Sequence, residues 1–455
     1  MEKVTQESKE IEKPYNVRLI AVRILNRFDR SDSYIDKLLA SELKNPDMIP
    51  IDKALLTELI NGVIRWRGKL DWVLTGFYHG DYLKCLNLIK NSLRVGLYQI
   101  LFLNKIPVHA AINESVEIVK HIQGQPTANV VNGVLRTIAR NVDNIRYPKR
   151  NEDEIYHIAV VNSHPKWLVT RWVKRFGMKD TELLLQVNNK KPYVPIRVNT
   201  QKASTEEIEA IFTEHNLLFD KTPLLNEAIL IKSPKYDISQ SEIFVDGKIT
   251  IQDPSAALAA KLAAPNEKSI VLDMCAAPGG KSFYLAEQMK GKGEITALDK
   301  YDAKLKFIEL GAQRLGFNNI KILAKDAARV KLDLNPDIIF ADVPCSGTGT
   351  LRKKPDIRWK KELDNILEMV PIQRKILANA VNLLAENGVI VYSTCSLEYE
   401  ENFGNVEWFL KEFPQFKLDP AENYLPKEIC TKSCMEILPH KHGLDGAFAA
   451  RFVKA

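Results

Sequence analysis

The sequence has little cysteine and no long apolar run. Its 455 residues include 6 cysteines, too few for the disulfide framework of a small secreted domain, and no C-x-x-C pair points to a structural zinc. No apolar stretch approaches the ~18 residues that a membrane-spanning helix needs, and the charged start of the chain does not resemble a signal peptide. We therefore expect a cytoplasmic protein with neither a membrane nor a metal as partner.

What the sequence does contain is the composition of a folded, multidomain protein. It is 45% hydrophobic and 27% charged, and at about 150 residues per domain its length suggests roughly three folding units. Residues 1–150 hold 23 Lys and Arg against 16 Asp and Glu, whereas the rest of the chain is balanced. A basic first third fits docking on a polyanion, although a merely soluble basic domain has the same charge.

Hydrophobic periodicity divides the chain into four parts. Residues 1–13 have no periodicity and are predicted to form a flexible tail. Residues 14–145 repeat the 3.6-residue apolar spacing of helices, which predicts an all-α bundle. Residues 146–245 begin with two helical patterns and continue with a β-α-β rhythm, which predicts linker helices and a small α+β module. Residues 246–455 form the fourth part.

This fourth part alternates short apolar strands with helical segments. Strands are predicted at residues 270–273, 294–299, 320–323, 337–341 and 389–393. Apolar strands alternating with helices favour a mostly parallel, doubly wound sheet. The predicted fold of residues 246–455 is therefore α/β and Rossmann-like.

The most informative segment is a glycine-rich turn after the first of these strands. Residues 270–282 read IVLDMCAAPGGKS, and such a turn brings backbone N–H groups towards a ligand at the positive end of a helix. The tail Gly280-Lys281-Ser282 imitates a phosphate-binding P-loop, but Cys275 stands where that motif needs its first glycine. The P-loop interpretation is therefore weak, and a nucleoside-binding turn is favoured.

Acidic residues follow three successive strands, namely Asp273, Asp299 and Asp326. Ligands of open α/β sheets bind beyond the carboxyl ends of the strands, where Asp299 can accept hydrogen bonds from ribose hydroxyls and Asp326 can face a base. A single acid at a strand end is more often a helix cap or a surface residue. Three in succession favour a nucleoside site.

Cysteines follow the next two strands, Cys345 in DVPCSG and Cys395 in STCS. A cysteine in a strand is usually an inert packing residue, but at this edge a thiol can act as a nucleophile. Thiolate addition to carbon 6 of a pyrimidine makes carbon 5 nucleophilic enough to take a methyl group from a sulfonium donor. Asp342 is placed to hydrogen-bond the ring N3 and to stabilise the charge of such an adduct.

These segments resemble the signature blocks of the RNA cytosine-5 methyltransferases that use S-adenosylmethionine. The similar blocks, in matching order, are QDPS (252–255), DMCAAPGGK (273–281), DVPCSG (342–347), STCS (393–396) followed by EEN (400–402), and DGAF (445–448). The resemblance covers about residues 190–455 and implies a class I methyltransferase domain.

The resemblance also implies roles for individual residues. The cofactor loop comprises Cys275, Ala276, Ala277, Pro278, Gly279, Gly280 and Lys281. Asp299 is expected to hold the ribose, Asp326 the adenine side, and Asp342 the methionine end of the cofactor or the target base. Cys395 is expected to be the attacking thiol and Cys345 to assist release of the methylated RNA. In the related DNA enzymes the nucleophile belongs to a Pro-Cys pair, so spacing alone favours Cys345 instead.

The amino-terminal part resembles the NusB-type RNA-binding bundle. The segments that carry this likeness are IPVHAAINESV (106–116) and VVNGVLR (130–136). A NusB-like bundle joined to such a methyltransferase resembles the bacterial RsmB/Sun/Fmu-type enzymes, which implies 16S rRNA as substrate and a monomer. Two alternatives stay open: tRNA cytosine-5 methylation, and a non-catalytic RNA-binding assembly or antitermination factor.

A basic run follows the DVPCSG block, with Arg352, Lys353, Lys354, Arg358, Lys360 and Lys361 around Trp359. One interpretation is contact with RNA phosphates and stacking on a base. The other is a solvated start of a helix.

Overall fold

The computed structural model describes residues 16–233 and 237–455, so the predicted tail at residues 1–13 lies outside the described residues. Internal contacts divide the chain into two compact units, Met1–Leu185 and Gln186–Ala455. The domain limits after residues 145 and 245 are a finer division and stay a prediction.

The helices that precede the first strand confirm the predicted all-α bundle. They are α1 (Val17–Arg30), α2 (Ile35–Leu43), α3 (Pro50–Phe77), α4 (Asn87–Phe102), α5 (Val108–Gln123), α6 (Gln125–Arg140), α7 (Glu154–Val161), α8 (Lys166–Phe176) and α9 (Met178–Asn188). Within the described residues, none of the helices combines the length and the hydropathy that crossing a membrane requires.

The first helix shows how the sequence pattern becomes packing. Ala21, Leu25 and Phe28 of α1 lie on one face and are at most 1% exposed. The side chain of Asn16 accepts a 3.0 Å hydrogen bond from the Leu19 N–H and so caps the first turn. Because burying one large apolar side chain contributes about 1.5–3 kcal/mol, packing rather than intrinsic propensity stabilises this helix.

A small antiparallel sheet opens the second unit. Its elements are β1 (Val194–Val198), α10 (Thr205–Glu214), β2 (Phe219–Lys221), β3 (Ala228–Ile231), α11 (Glu242–Val245) and β4 (Ile249–Ile251), with strand order β2-β3-β1-β4. The predicted α+β module is confirmed. The strands β2 and β4 are not among the predicted ones, because three residues are too few to show a period of two.

The large sheet of the second unit carries the site. Its elements are α12 (Pro254–Lys261), β5 (Ile270–Asp273), α13 (Gly280–Gln288), β6 (Glu294–Asp299), α14 (Asp302–Leu315), β7 (Ile320–Ala324), β8 (Ile338–Asp342), α15 (Ile357–Lys360), α16 (Leu363–Leu383), β9 (Val389–Thr394), α17 (Phe403–Glu412), β10 (Phe416–Leu418), β11 (Cys430–Thr431), β12 (Cys434–Ile437), α18 (Pro439–His442) and β13 (Ala447–Lys454).

The strand order is β11-β12-β13-β9-β8-β5-β6-β7, and β10 pairs with β13. Strands β5 to β9 pair in parallel, as the Rossmann-like prediction requires. The carboxyl-terminal strands β10 to β13 add antiparallel pairings. The sheet is therefore more mixed than the sequence pattern indicates.

A buried ion pair joins the small sheet to the large one within this unit. Arg197 on β1 pairs with Glu287 on α13, and both side chains are at most 4% exposed. Arg197 also donates a 2.6 Å hydrogen bond to Gln252, and the Thr200 N–H donates to Glu287 at 2.9 Å. A buried pair of this kind is costly to break because it leaves one charge unpaired, so it fixes the orientation of the small sheet.

We predict that Gly96→Ala destabilises the helical bundle by about 1–3 kcal/mol, because the added methyl group overpacks the core. A Cβ at Gly96 on α4 would lie 2.7 Å from side-chain atoms of Ser115 on α5 and Leu135 on α6. Hydrogen exchange of the α4, α5 and α6 amides in the full chain measures the loss as faster exchange.

The matched control is Gly133→Ala on α6, where nothing lies within 4 Å of an added Cβ. Better helix propensity should stabilise this variant by up to about 1 kcal/mol. Equal amide protection in the two variants would contradict the close packing at Gly96.

Candidate active site

The residues predicted to form the site lie at one edge of the large sheet. Because β5, β6, β8 and β9 are parallel, their carboxyl ends lie at the same edge. The neighbouring strands β8 and β9 pair Asp342 with Ser393. The loops that carry Cys345 and Cys395 therefore leave the sheet side by side.

The glycine-rich turn connects β5 to α13 and is fixed by backbone hydrogen bonds, one to β6 and one within the turn. The Ala276 N–H donates to the Leu298 carbonyl at 2.8 Å, and the Gly279 N–H donates to the Ala276 carbonyl at 2.7 Å. The peptide bond between Ala277 and Pro278 is cis. Gly279 has φ +108°, and a Cβ there would lie 2.4 Å from the ring of Phe283, so only glycine fits this position.

Asp273 is an internal support of this turn. Its side chain is 0% exposed and accepts a 2.6 Å hydrogen bond from Ser282 Oγ in the first turn of α13. Burial raises the pKa of Asp273 to about 7, against the opposing effect of that hydrogen bond. The residue therefore ties the end of β5 to the start of α13.

The two other strand-end acids differ in exposure. Asp299 is 7% exposed, and its carboxylate accepts from the Ala277 N–H at 3.3 Å and from the Tyr301 N–H at 3.0 Å. Asp326 lies beyond β7, is more exposed, and forms a 3.3 Å ion pair with Lys300. Asp299 is thus hydrogen-bonded to the glycine-rich turn, whereas Asp326 lies at its border.

Lys281 and Asp342 form an ion pair between the cofactor turn and the end of β8. Ser393 Oγ donates a 3.0 Å hydrogen bond to the other oxygen of Asp342. Burial alone lowers the pKa of Lys281, but the Asp342 carboxylate outweighs it and the pKa is raised. Lys281 is therefore a fixed cation, a role that the sequence analysis did not separate from the loop.

The two cysteine thiols lie together, with Cys345 Sγ 3.2 Å from Cys395 Sγ. This separation exceeds the ~2.05 Å of a disulfide bond, and both cysteines are free. The Cys395 N–H also donates to Cys345 Sγ at 3.3 Å. The two thiols can therefore exchange a proton directly.

Close backbone contacts fix the position of Cys395. The Gly349 N–H donates to the Cys395 carbonyl at 3.0 Å, and the Gly446 N–H donates to the Gly349 carbonyl at 2.8 Å. A Cβ on Gly349 would lie 2.4 Å from the Gly446 carbonyl oxygen. Segments from three parts of the sequence thus meet at the cysteine backbone.

The charges around the thiols favour ionisation of one of them. The hydrogen bond from Cys345 lowers the pKa of the Cys395 thiol; burial and Asp342 oppose this effect, and the cations Lys281 and Lys354 support it. The pKa of Cys345 is raised by its hydrogen bond to Cys395, by burial and by the Glu401 carboxylate. The two pKa values are thus shifted in opposite directions, and the thiolate is the reactive form of a cysteine.

Cys275 in the cofactor turn behaves differently. Burial raises the pKa of its thiol, and the surrounding acids Asp273, Asp342, Asp299 and Asp326 raise it further. It stays a protonated packing residue. In the described part of the chain, His, Cys, Asp and Glu side chains form no group of three or more that could hold a metal ion.

A largely buried three-residue ion cluster escaped the sequence analysis. Lys353 pairs with Asp253 and, at 2.9 Å, with Asp445. Burial raises the pKa of Asp445 to about 7, with a further contribution from Asp253. The three residues belong to blocks about 100 residues apart in sequence, so only the folded chain shows that they meet.

Some residues of the basic run after Cys345 form contacts within the protein. Arg358 is 1% exposed and donates to Asn189 at 2.9 Å, while Lys353 belongs to the buried cluster. The guanidinium of Arg352 lies 4.7 Å from the centre of the Tyr193 ring. Contact with RNA phosphates is therefore wrong for Arg358, whereas for Lys353, whose side chain is 22% exposed, it stays a prediction.

Comparisons with known proteins agree with this arrangement. The family model described as 16S rRNA methyltransferase RsmB/F matches residues 260–453, the NusB family matches residues 15–140, and the ferredoxin-like domain of RsmF/B-like methyltransferases matches residues 164–239. The probable ribosomal RNA small subunit methyltransferase B of Bacillus subtilis is 35% identical over 96% of this chain and 98% of its own. The chain belongs to the ribosomal RNA small subunit methyltransferase B family.

Solved structures related to this family share the fold. The crystal structure of PH0851 superposes with a TM-score of 0.79 at 26% identity, over 97% of this chain and 99% of its own. A methyltransferase homologue from Pyrococcus horikoshii gives a TM-score of 0.58 at 27% identity, over 67% of this chain and 99% of its own. The NusB-like bundle, the ferredoxin-like module and the Rossmann-like domain are thus the architecture of this family.

Membership of this methyltransferase family makes S-adenosylmethionine the methyl donor. The donor set at the sheet edge fits that molecule. Its sulfonium is a cation and its ribose carries two hydroxyl groups, and carboxylates are the acceptors that suit both. The edge carries three carboxylates, those of Asp299, Asp326 and Asp342.

We predict that Asp445→Asn gains stability relative to wild type as pH rises from 4 to 7, and that the gain is then constant at alkaline pH. The folded-state pKa of about 7 lies above the ordinary value, so the folded state holds the extra proton between pH 4 and 7. Wild-type stability therefore falls as pH rises through this window. The asparagine of the variant does not titrate, so the variant lacks this loss of stability.

Thermal unfolding at pH 5.5, 7 and 8.5 measures the difference between variant and wild type. We expect this difference to grow by about 1–3 kcal/mol between pH 5.5 and 7, on the scale of 1.36 kcal/mol per pKa unit, and to stay level between pH 7 and 8.5. A difference independent of pH would show that Asp445 ionises normally.

Proposed function

We propose that this protein transfers a methyl group from S-adenosylmethionine to carbon 5 of a cytosine in 16S rRNA, through a covalent bond between Cys395 and carbon 6. The observation that carries the proposal is the pair of thiols 3.2 Å apart at the sheet edge. The hydrogen bond between the thiols lowers the pKa of Cys395 and raises that of Cys345; Lys281 and Lys354 add to the first effect, and burial and Glu401 add to the second. A binding protein has no need of such an asymmetric pair.

The chemistry requires a thiolate because carbon 5 of cytosine is a poor nucleophile. When Cys395 Sγ bonds to carbon 6, the electrons of the 5,6 double bond become available at carbon 5, which takes the methyl group. A base then removes the carbon 5 proton, and those electrons restore the double bond as the sulfur leaves. S-adenosylmethionine supplies the methyl group to this sequence.

The chain's own residues would hold the reactants as follows. The cofactor turn, residues 275–281, would line the donor, with Asp299 on the ribose and Asp326 on the adenine side. Asp342 would face the methionine end of the donor or N3 of the base. Its pairing with Lys281 and Ser393 supports either position, because it leaves the carboxylate fixed at the sheet edge.

Cys345 would act in the second half of the reaction. Its thiol lies within proton-transfer distance of Cys395 Sγ and its raised pKa keeps it protonated. It can therefore donate a hydrogen bond to the departing sulfur of Cys395 and so assist release of the methylated RNA.

The names of the relatives support small-subunit rRNA as the substrate. The excess of positive charge in residues 1–150 supports a role for the NusB-like bundle in binding phosphates, a contribution independent of base sequence. The sheet edge would then act on a single base flipped out of its stack.

We predict that Cys395→Ala abolishes methylation, whereas Cys345→Ala still forms the covalent complex and releases it slowly. The test incubates 16S rRNA with S-adenosylmethionine and each variant, followed by bisulfite sequencing. RNA containing 5-fluorocytosine traps the adduct for mass spectrometry, and tRNA serves as the parallel substrate. Methylation by Cys395→Ala but not by Cys345→Ala would reverse the two roles.

We predict that the shortened chain 186–455 keeps its affinity for S-adenosylmethionine within about twofold and loses most of the salt dependence of RNA binding. Each phosphate contact contributes about 0.9 to the slope of log affinity against log salt concentration. Titration at several salt concentrations, with the full chain alongside, measures the slope. An unchanged slope would place the phosphate contacts in the second unit.

A further inference from the structure

A buried glutamate connects the two cysteine loops from below. Glu401 is 0% exposed and follows the Cys395 loop by six residues. One carboxylate oxygen accepts from the Ser346 N–H at 2.8 Å, and the other accepts from the hydroxyl groups of Ser346, at 2.5 Å, and Ser396. Ser346 and Ser396 are the residues that directly follow Cys345 and Cys395.

The remaining support comes from α16 and β9. Gln373 on α16 donates from one amide nitrogen to Glu401 at 2.9 Å and to the Pro344 carbonyl at 2.9 Å. Tyr392 on β9 donates to the Glu401 carbonyl at 2.5 Å. Hydrogen bonds therefore fix both the backbone and the side chain of the glutamate. Because Pro344 directly precedes Cys345, Gln373 also connects Glu401 to the Cys345 loop.

The donors to the carboxylate are an amide N–H, two hydroxyls and a side-chain amide, all of them neutral. A buried carboxylate held only by neutral groups keeps its electrostatic effect on nearby titratable groups. Those groups are Cys345 and Tyr392. The pKa of Cys345 is raised mainly by its hydrogen bond to Cys395 and by burial, and that of Tyr392 mainly by burial; Glu401 raises both further. Arg374, on the same helix as Gln373, opposes the effect at Tyr392.

We propose that Glu401 is a positioning residue that sets the distance between the two thiols and keeps their protonation states different. The inference rests on the proposed function, since it explains how that cysteine pair is maintained. The Glu401 carboxylate binds both loops, through Ser346 and Ser396. A shift of one loop would therefore disturb the other loop and its thiol. The charge of Glu401 acts on Cys345, whereas those of Lys281, Lys354 and Asp342 act on Cys395.

Two substitutions separate the two parts of this role. In Glu401→Gln, the amide NH₂ can face the two serine hydroxyls, which rotate to accept, while the amide oxygen keeps the Ser346 N–H and Gln373. Geometry is then preserved and the charge is lost. In Glu401→Ala, every bond to the side chain is lost. The matched control is Glu407→Gln on α17, an exposed glutamate that accepts from Tyr399.

We expect Glu401→Ala to lower kcat by about 100-fold, the effect of misplacing a reacting group by about 1 Å. Glu401→Gln should recover part of this loss, and KM for RNA and for S-adenosylmethionine should stay within twofold of wild type. Glu407→Gln should keep wild-type kcat. If both Glu401 variants keep kcat within twofold of wild type, the inference is overturned.

A second measurement stands even if Glu401→Ala does not fold. Iodoacetamide labelling between pH 6 and 9, mapped by mass spectrometry, gives the ratio of Cys395 to Cys345 modification. Removing the negative charge in Glu401→Gln favours the Cys345 thiolate, so we expect the ratio to fall several-fold relative to wild type and to Glu407→Gln. An unchanged ratio would contradict the electrostatic part of the proposal.

The 5-fluorocytosine adduct distinguishes failure of this inference from failure of the proposed function. If wild-type protein forms no adduct, the proposed function is wrong. If wild type forms the adduct and the Glu401 variants form it at the same rate, the function stands and the role of Glu401 is wrong.

Discussion

The site depends on the parallel pairing of β8 with β9. This ladder sets Asp342 opposite Ser393. The loops that carry Cys345 and Cys395, which are 50 residues apart in sequence, therefore leave the sheet at neighbouring positions of its edge. A slip of one residue would turn every side chain of β9 to the opposite face of the sheet. Both faces are packed, which makes such a slip costly and gives the cysteine pair a fixed frame.

On this frame, the hydrogen bond between two chemically identical thiols makes them unequal, and nearby charges add to the difference. Lys281 approaches from the cofactor turn and Glu401 from beneath the loops. Each sits beside a different thiol, so the same low-dielectric surroundings strengthen two opposite effects. The ion pair with Asp342 holds Lys281 in place, so the cation is available without a conformational change.

Much of this arrangement was predictable from local patterns. The strands β5 and β6 have the predicted bounds because each is a short, buried, apolar run that ends in an acid. The Gly279 turn was equally clear, since the glycine-rich spacing has few other uses. The carboxyl-terminal strands were missed because β13 is buried at six successive positions and so shows no alternation of apolar and polar residues.

The long-range polar contacts could not be predicted from the sequence, for a different reason. Lys353 looked like part of a basic surface, and only the fold brings Asp253 and Asp445 to it. Glu401 stood in a recognised block, but nothing local shows that a glutamate is buried. Burial of a charge depends on partners from elsewhere in the chain, which composition and periodicity do not describe.

The contact between Gly349 and Gly446 makes the Cys395 loop depend on a distant part of the sequence. The Cys395 carbonyl is bound by Gly349, and Gly349 is bound in turn by Gly446, which directly precedes β13. A Cβ at Gly446 would lie 2.7 Å from the Cα of Gly349. A side chain at Gly446 would therefore displace the backbone that supports Cys395 without touching either thiol.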